Sequence, residues 1–232
     1  MTQTPERPDD SDSGRAGVLF DVDGTLVDTN YLHTLAWSRA FREVGEWAPM
    51  NAIHRVVGMG GDQLVPELLG HDSPEADAAH RRIFRDLVGE AEAFPGAADL
   101  LAAVRGRGLV VVLATSSPKD QLDAMLESAD LQDNFDARTT ADDVSSSKPD
   151  PDVFLAAIES ADLDPRRTVA LGDSVWDVRA ARAANIGCIG VESGGFSRHE
   201  LAEAGALHVY RDVSELLALI NTSPLAGIAR AA

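Results

Sequence analysis

Short apolar runs alternate with amphipathic stretches along most of the chain. The runs that predict strands are Gly17–Phe20, Leu109–Ala114, Thr168–Leu171, Ile186–Val191 and Leu207–Tyr210. All but the last are nearly continuous in Val, Leu, Ile and Ala, as expected of parallel strands covered on both faces. The stretches that predict helices are Ala97–Arg105, Gln121–Ala129, Pro151–Ser160, Val175–Ala184 and Ser214–Ile220. This alternation predicts an α/β fold with a doubly wound parallel sheet.

One long segment interrupts the alternation. Residues 29–94 contain only helical periodicity, with a first helix near Tyr31–Val44, and they are too many for a simple crossover. The pattern therefore predicts an inserted helical lobe over 29–94 and a core domain built from 16–28 and 95–222. Residues 1–15 are polar, acidic and rich in Pro and Ser, which predicts a disordered tail, and 223–232 are expected to form a second tail.

The net charge of the chain limits the kinds of partner that are expected. With 38 acidic and 20 basic residues the formal net charge is −18, which repels nucleic acid and anionic membranes, so neither is an expected partner. No apolar run is long enough for a signal peptide or a membrane span, and a cytoplasmic location is expected. The single cysteine, Cys188, excludes an internal disulfide and is expected to be a core residue.

The segment DVDGT at 21–25 directly follows the predicted strand Val18–Phe20. Asp21 is then expected at the carboxyl end of a strand, where open α/β sheets place their ligands. A carboxylate there can act as a nucleophile while Asp23 handles the proton on a leaving oxygen. Gly24 permits a sharp turn beside them. Taken alone, the pair is also compatible with an Asx turn or a helix cap.

Two further polar segments follow later in the chain. Thr115 and the amide of Ser116 come directly after the second predicted strand, and such donors suit the oxygens of a transferred phosphoryl group. Lys148, which precedes a proline, would offset the negative charge of nucleophile and phosphate. Each has a simpler explanation, a helix cap for the hydroxyls and a solvated loop lysine for Lys148.

A third acidic segment, GDSVWD at 172–177, follows the strand Thr168–Leu171. Together with Asp21 and the backbone carbonyl of Asp23, Asp173 would form an all-oxygen site suited to Mg²⁺. Asp177, one helical turn later, would hold a ligand or a metal-bound water in place. A helix cap at Asp173 or Ser174 is the alternative.

Each segment has another explanation, yet four of them at strand ends in this order are improbable. In this respect the chain resembles the haloacid dehalogenase-like superfamily of phosphohydrolases over roughly Gly17–Ile220. The matching motifs are DVDGT at 21–25, the hydroxyl at Thr115, Lys148-Pro149 and GDSVWD at 172–177. The resemblance implies a Rossmann-like core with a helical cap inserted after the first motif.

The same resemblance implies roles for individual residues. Asp21 would become a transient aspartyl phosphate, and Asp23 would be the general acid and base. Thr115 would orient the phosphoryl group, Lys148 would neutralise charge, and Asp173 would help to hold Mg²⁺. The residues expected against the substrate are Gly24, Ser116 and His33. The expected partner is a small phosphorylated metabolite, and the expected assembly is a monomer or a homodimer.

Within the superfamily, Asp23 separates the chain from haloacid dehalogenases and phosphonatases, which lack this carboxylate. The chain is more similar to phosphoglycolate phosphatases and β-phosphoglucomutase. The run Asp28-Thr29…His33…Ala36-Trp37 resembles the mutase, in which the corresponding histidine positions the acid/base aspartate. A packed histidine at the lobe interface is an equally good explanation of His33.

Mutase activity is the alternative function, and one departure counts against it. The mutase holds the second phosphate of its intermediate with basic cap residues, whereas the loop 56–62 has no Lys or Arg, and only Arg55 stands beside it. The sequence therefore favours a phosphatase. A phosphate-binding regulator similar to bacterial receiver domains is the remote alternative, although receivers are shorter and lack an insertion of this size.

Overall fold

The structure, a computed structural model, describes residues 14–230. Most of the predicted amino-terminal tail, 1–13, and the last two residues lie outside this range. Within residues 14–230, six strands form one parallel sheet in the order β3-β2-β1-β4-β5-β6. They are β1 (Arg15–Phe20), β2 (Val110–Ala114), β3 (Ala137–Thr139), β4 (Leu163–Gly172), β5 (Gly187–Val191) and β6 (His208–Tyr210). The predicted doubly wound α/β fold is confirmed, and the strand order reverses between β1 and β4, where such sheets bind ligands.

Helices alone fill the segment between β1 and the next helix of the core. They are α1 (Asn30–Glu43), α2 (Met50–Val56), α3 (Gly61–Leu69) and α4 (Pro74–Leu87), followed by a 3₁₀ turn at Val88–Glu90. We call residues 29–94 the helical insertion. Its two connections to the core run side by side, because the Asp28 N–H donates to the Glu92 carbonyl and the Phe94 N–H to the Leu26 carbonyl, both at 2.9 Å.

In the part of the chain that the structure describes, seven further helices cover the sheet. They are α5 (Ala97–Arg105), α6 (Lys119–Ser128), α7 (Asp152–Ser160), α8 (Val175–Ala183), α9 (Arg198–Ala204), α10 (Val213–Ala218) and α11 (Pro224–Arg230). Side chains alternate between the two faces of β1, as they must in a strand. Val18 and Phe20 pack with α5, α6 and the helical insertion, whereas Leu19 packs with α7 and α8. One face of the sheet and the insertion therefore share a continuous apolar core.

Three elements differ from the sequence prediction. The edge strand β3 (Ala137–Thr139) was not predicted, because two of its three residues are polar and they form no apolar run. Neither α9 nor α11 was predicted, and α11 occupies most of the expected carboxyl-terminal tail, with Leu225 buried against the core. Among the described residues, no helix has the length and apolar character needed to cross a membrane.

Candidate active site

Asp21 lies buried at the carboxyl end of the central strand β1. Its N–H donates to the Leu171 carbonyl of β4 at 2.9 Å, which fixes the backbone between two strands. Its carboxylate accepts from the Lys148 ammonium at 2.6 Å and from the Thr25 hydroxyl at 3.1 Å. Burial raises the pKa of Asp21 to about 7, since it outweighs the attraction of Lys148 and is reinforced by the charge of Asp177. Asp21 is thus a buried carboxylate beside a fixed cation.

Lys148 is fully buried, which excludes the solvated loop lysine that the sequence allowed. Its Nζ lies 2.6 Å from Asp21 Oδ1 and 2.8 Å from Asp177 Oδ1, and it donates to the Ala114 carbonyl at 2.8 Å. Burial opposes the charge, but Asp177 and Asp21 outweigh it and raise the pKa of Lys148 above its usual value. The ammonium therefore stays charged and connects the first and last acidic segments of the site.

Asp23 points into a ring of donors. The Thr29 hydroxyl donates to its carboxylate at 2.6 Å, Ser117 at 2.9 Å and Thr115 at 3.3 Å, and His33 Nε2 lies 2.9 Å away. Burial alone would raise the pKa of Asp23, but His33 and the hydrogen bonds from Thr29 and Ser117 outweigh it and hold the pKa at about 2. In this arrangement Asp23 is an anion, and in that form it can accept a proton as a base.

His33 fits both explanations that the sequence left open. Its ring stacks on Phe84 of α4 with the ring centres 3.9 Å apart, so it packs in the insertion, while Nε2 contacts Asp23. Its other nitrogen, Nδ1, lies 3.2 Å from Nε2 of His80, a buried residue of α4 that stacks on Trp37. Burial, aided by His33, holds the pKa of His80 well below its usual value. A chain of contacts thus leads from Asp23 into the insertion.

Asp173 lies across the sheet end from Asp21. Its carboxylate accepts from Asn30 at 2.9 Å and from Thr25 at 3.2 Å. Oxygen atoms of Asp21, Asp173 and Asp177 all lie within 4.8 Å of one another. Burial and the charges of Asp21 and Asp177 raise the pKa of Asp173 well above its usual value. Crowded, buried carboxylates of this kind are the oxygen ligands that Mg²⁺ prefers, so the residues fit a divalent cation.

Asp177 has two structural roles. Its Oδ2 accepts from the Ser174 hydroxyl at 2.5 Å and the Ser174 N–H at 3.1 Å, while the Asp177 N–H donates back to Ser174 at 3.2 Å. This capping box begins α8, as the alternative explanation of the segment required. The other oxygen of the same carboxylate faces Lys148. Asp177 therefore ties the helix end to the buried cation.

Two glycines allow the loops to approach the carboxylates. Gly24 has a φ of +74°, and a Cβ there would lie 2.3 Å from Asn30 Nδ2 and 2.5 Å from Asp173 Oδ2. A Cβ at Gly194, in the loop after β5, would lie 1.5 Å from the same Asp173 oxygen. Both positions exclude any larger residue while Asp173 stays where it is.

The hydroxyl segment after β2 lies beside the same carboxylates. Thr115 and Ser116 line a small pocket together with Asp21 and Asp23. The Thr115 hydroxyl also accepts from the Ser117 N–H at 3.0 Å, and the Ser116 hydroxyl accepts from the Lys148 N–H at 3.3 Å. The topology therefore brings together at one edge of the sheet all the predicted site residues, which are Asp21, Asp23, Gly24, His33, Thr115, Ser116, Lys148, Asp173 and Asp177.

Sequence reasoning missed several residues that contact the predicted ones. These are Thr25, Thr29, Asn30, His80 and Ser117. Thr25 and Ser117 lie within or directly beside the predicted motifs, so sequence reasoning could have identified them there. The contacts of Asn30 and His80 join positions far apart in sequence, for which a single chain carries no signal.

Arg55, the basic residue beside the glycine loop, turns away from the carboxylates. It pairs with Glu200 of α9, and its guanidinium lies over the Phe196 ring, 4.0 Å from the ring centre. The loop itself packs on the core, since a Cβ at Gly60 would lie 2.2 Å from the Ser147 hydroxyl. Arg55 is therefore a surface residue of another face.

Comparison with known proteins places this geometry in a family. A family model described as haloacid dehalogenase-like hydrolase matches residues 16–185. Protein CbbY of Cereibacter sphaeroides is 32% identical over 90% of this chain and 98% of its own length. A phosphoglycolate phosphatase of Rhodospirillum rubrum is 33% identical over 86% of this chain and 88% of its own length.

Solved structures agree with the sequence comparison. A hydrolase from Pseudomonas syringae is 34% identical with a TM-score of 0.84, covering 90% of this chain and 99% of that one. A variant of CbbY from Rhodobacter sphaeroides, in complex with xylulose-1,5-bisphosphate, is 30% identical with a TM-score of 0.74. The match covers 87% of this chain and 96% of that one. The chain therefore belongs to the haloacid dehalogenase-like hydrolases, in the phosphatase subgroup that resembles phosphoglycolate phosphatase and β-phosphoglucomutase.

Proposed function

We propose that the chain is a Mg²⁺-dependent phosphatase that hydrolyses a small phosphorylated metabolite through an aspartyl phosphate on Asp21. The observation that carries this proposal is the pair of carboxylates in opposite electrostatic settings. Asp21 lies 2.6 Å from the buried Lys148 ammonium, while Asp23 lies among hydroxyls and beside His33. Neighbouring acidic groups with separated pKa values suit a nucleophile and an acid/base.

In the first step the Asp21 carboxylate attacks phosphorus, and the bond from phosphorus to the leaving oxygen breaks. Asp23 donates a proton to that oxygen. An approaching phosphate brings negative charge, which raises the pKa of Asp23 and allows it to hold this proton. In the second step water attacks phosphorus, Asp23 takes the proton of the water, and the electron pair of the breaking bond returns to the Asp21 carboxylate.

The other residues position and neutralise. Thr115 and the Ser116 amide, which line the pocket with Asp21, suit the oxygens of the phosphoryl group. Lys148 offsets the charge of Asp21 and of the incoming phosphate. Asp21, Asp173 and the Asp23 carbonyl would hold Mg²⁺, with Asp177 supporting the arrangement, and the bound cation would supply Lewis-acid stabilisation of phosphate charge.

The test is phosphate release from a panel of phosphorylated metabolites, with and without Mg²⁺. We expect release to require Mg²⁺ and to fall at least 10³-fold in Asp21→Asn, a residue change that preserves side-chain volume. The folded state of the variant is checked by circular dichroism. Near-normal release by Asp21→Asn would exclude Asp21 as the nucleophile.

A mutase is the competing function, because relatives of this subgroup include β-phosphoglucomutases. A bisphosphate intermediate needs a cation for its second phosphate. Arg55 is engaged with Glu200, and Arg81, in the insertion, is paired with Asp77 at 3.0 Å. Both contacts weigh against the mutase. Conversion of β-glucose 1-phosphate to glucose 6-phosphate, without phosphate release, would establish it instead.

A further inference from the structure

A cavity of about 580 Å³ continues from the small pocket around Asp21 and Asp23. The two spaces share His33, Trp37 and Ser117 in their walls. Part of its wall comes from the helical insertion, and the rest comes from loops of the core and the first turn of α6. Its volume lies in the range of pockets that enclose small molecules. A phosphate held near Asp21 would therefore direct its leaving group into this cavity.

Charge in this cavity is predominantly negative. Four aspartates line it, which are Asp62, Asp72, Asp77 and Asp142. Within residues 14–230 the only Lys or Arg in its wall is Arg81, whose Nε lies 3.0 Å from Asp77 Oδ2, so its charge is offset. A leaving group that carries its own carboxylate or phosphate would meet repulsion here.

The same carboxylates offer hydrogen-bond acceptors. One oxygen of Asp62 accepts from the Ser147 N–H at 3.0 Å, and one oxygen of Asp142 accepts from the Lys119 N–H at 2.9 Å. These bonds hold both side chains in place and leave the second oxygen of each outside those contacts. Carboxylate oxygens held in this way suit the hydroxyl groups of a ligand.

A buried donor supplies an independent indication of a ligand. Gln121, in the first turn of α6, lines the cavity and is only 5% exposed, and its Nε2 is buried without a hydrogen-bond partner among the described residues. A buried amide left unpaired is costly, and such groups are normally satisfied. An oxygen of a ligand in the cavity would accept from Gln121.

We propose that the leaving group of the substrate is a polyhydroxylated alcohol with no negative charge of its own, as in hexose or hexitol monophosphates. Its hydroxyls donate to the cavity aspartates, and one of its oxygens accepts from Gln121. This proposal rests on the proposed phosphatase function and adds the substrate class. It also predicts discrimination against bisphosphates and phosphorylated acids, because their second anionic group enters an acidic cavity.

The first experiment uses substrates matched in size. Glucitol 6-phosphate and 6-phosphogluconate are both open-chain six-carbon monophosphates, and they differ by a hydroxymethyl group against a carboxylate. We expect kcat/KM to be at least tenfold higher for glucitol 6-phosphate, and higher for fructose 6-phosphate than for fructose 1,6-bisphosphate. Equal or reversed preferences overturn the proposal.

Variants assign the preference to the cavity. Asp77→Asn removes one negative charge and releases Arg81, so we expect the preference for glucitol 6-phosphate to shrink at least threefold. Asp86→Asn is the matched control, because Asp86 lies exposed on the same helix outside the cavity. An undiminished preference in Asp77→Asn overturns the assignment.

Gln121→Leu tests the buried donor. We expect KM for glucitol 6-phosphate to rise at least fivefold, with little change in kcat. An unchanged KM overturns the role of Gln121.

Hydrolysis of p-nitrophenyl phosphate separates the two proposals. If release from this reporter depends on Asp21 but the enzyme prefers anionic leaving groups, the proposed substrate class is wrong and the phosphatase function stands. The absence of release from every compound, the reporter included, overturns both proposals.

Discussion

At the scale of single residues, the positive charge of Lys148 offsets the negative charges of the site. It is one of two lysines in the chain, and it is fully buried between Asp21 and Asp177. Two buried carboxylates that share one ammonium form a stable arrangement only as a set, since removal of one member leaves the others uncompensated. Lys148 is therefore required for the stability of the fold as well as for charge neutralisation.

We expect Lys148→Met to lower the free energy of unfolding by about 3–5 kcal/mol at pH 8. The loss is smaller near pH 5, because the carboxyl group of Asp21, whose pKa is already raised, takes up a proton and removes part of the unpaired charge. Urea unfolding at the two pH values measures the effect. Lys119→Met, at an exposed position, is the control, and equal losses in the two variants would contradict the prediction.

His33 acts on Asp23 through one contact of 2.9 Å. We expect His33→Phe to lower kcat/KM for phosphate release about 10- to 100-fold, because Asp23 loses the contact that orients it. The pKa of Asp23 rises from about 2 when His33 is removed, and because the first step requires protonated Asp23, the basic limb of the pH profile of kcat/KM moves to higher pH. His33→Gln keeps a hydrogen-bond donor, and a loss as large as that of His33→Phe would speak against orientation.

At the scale of elements, the site is an assembly of strand ends. The carboxyl ends of β1, β2 and β4 deliver Asp21, Thr115 and Asp173 to one edge, because all strands of the sheet run parallel. The loop after β5 closes the assembly, with Gly194 packed directly on Asp173. The loop can therefore take this position only because residue 194 is a glycine and has no side chain.

Gly194→Ala tests this close approach. Its Cβ would lie 1.5 Å from Asp173 Oδ2, so the loop or the carboxylate must move. We expect kcat/KM for phosphate release to fall about 10²-fold, since displacements near 1 Å at a reacting centre have effects of that size. Gly89→Ala is the matched control, because nothing lies within 4 Å of its added Cβ. Full activity of Gly194→Ala would show that the site tolerates the shift.

Elements with strong local patterns were predictable from sequence, and those without were not. The buried strands β1, β2 and β5 are continuous apolar runs, and their ends identified Asp21 and Thr115. The edge strand β3 has no such run, because an edge of three residues buries little. Contacts such as Asn30 with Asp173 depend on how the helical insertion meets the core, which local pattern does not encode.

At the scale of the whole molecule, the acidic site works against folding when it holds no cation. The pKa of Asp21 is raised from 3.8 to about 7 and that of Asp173 is raised well above 3.8, so the folded chain binds more protons than the unfolded chain over that range. The free energy of unfolding contributed by these groups therefore falls as pH rises from about 4 to about 7. A bound cation would offset the repulsion.

We accordingly expect Mg²⁺ at about 100 times its Kd to raise the melting temperature by about 5–10 °C at pH 8. The gain is less than half as large at pH 5, because protons then compete for the same carboxyl groups. Thermal unfolding with and without Mg²⁺ measures both values, and Asp21→Asn is the control with a reduced gain at pH 8. Equal gains at the two pH values would contradict a site built on these carboxyl groups.

The side-by-side connections of the helical insertion have a consequence for how this chain can diversify. Asp28 and Glu92 are hydrogen-bonded neighbours, so the insertion leaves and returns to the core at one place. The spacing of those two ends does not depend on how many residues lie between them, and the entropic cost of a longer excursion grows only slowly with its length. The helices α3 and α4, which line the cavity, are thus exchangeable as long as α1 keeps Asn30 against Asp173 and His33 against Asp23. A new substrate preference can evolve on an inherited reaction.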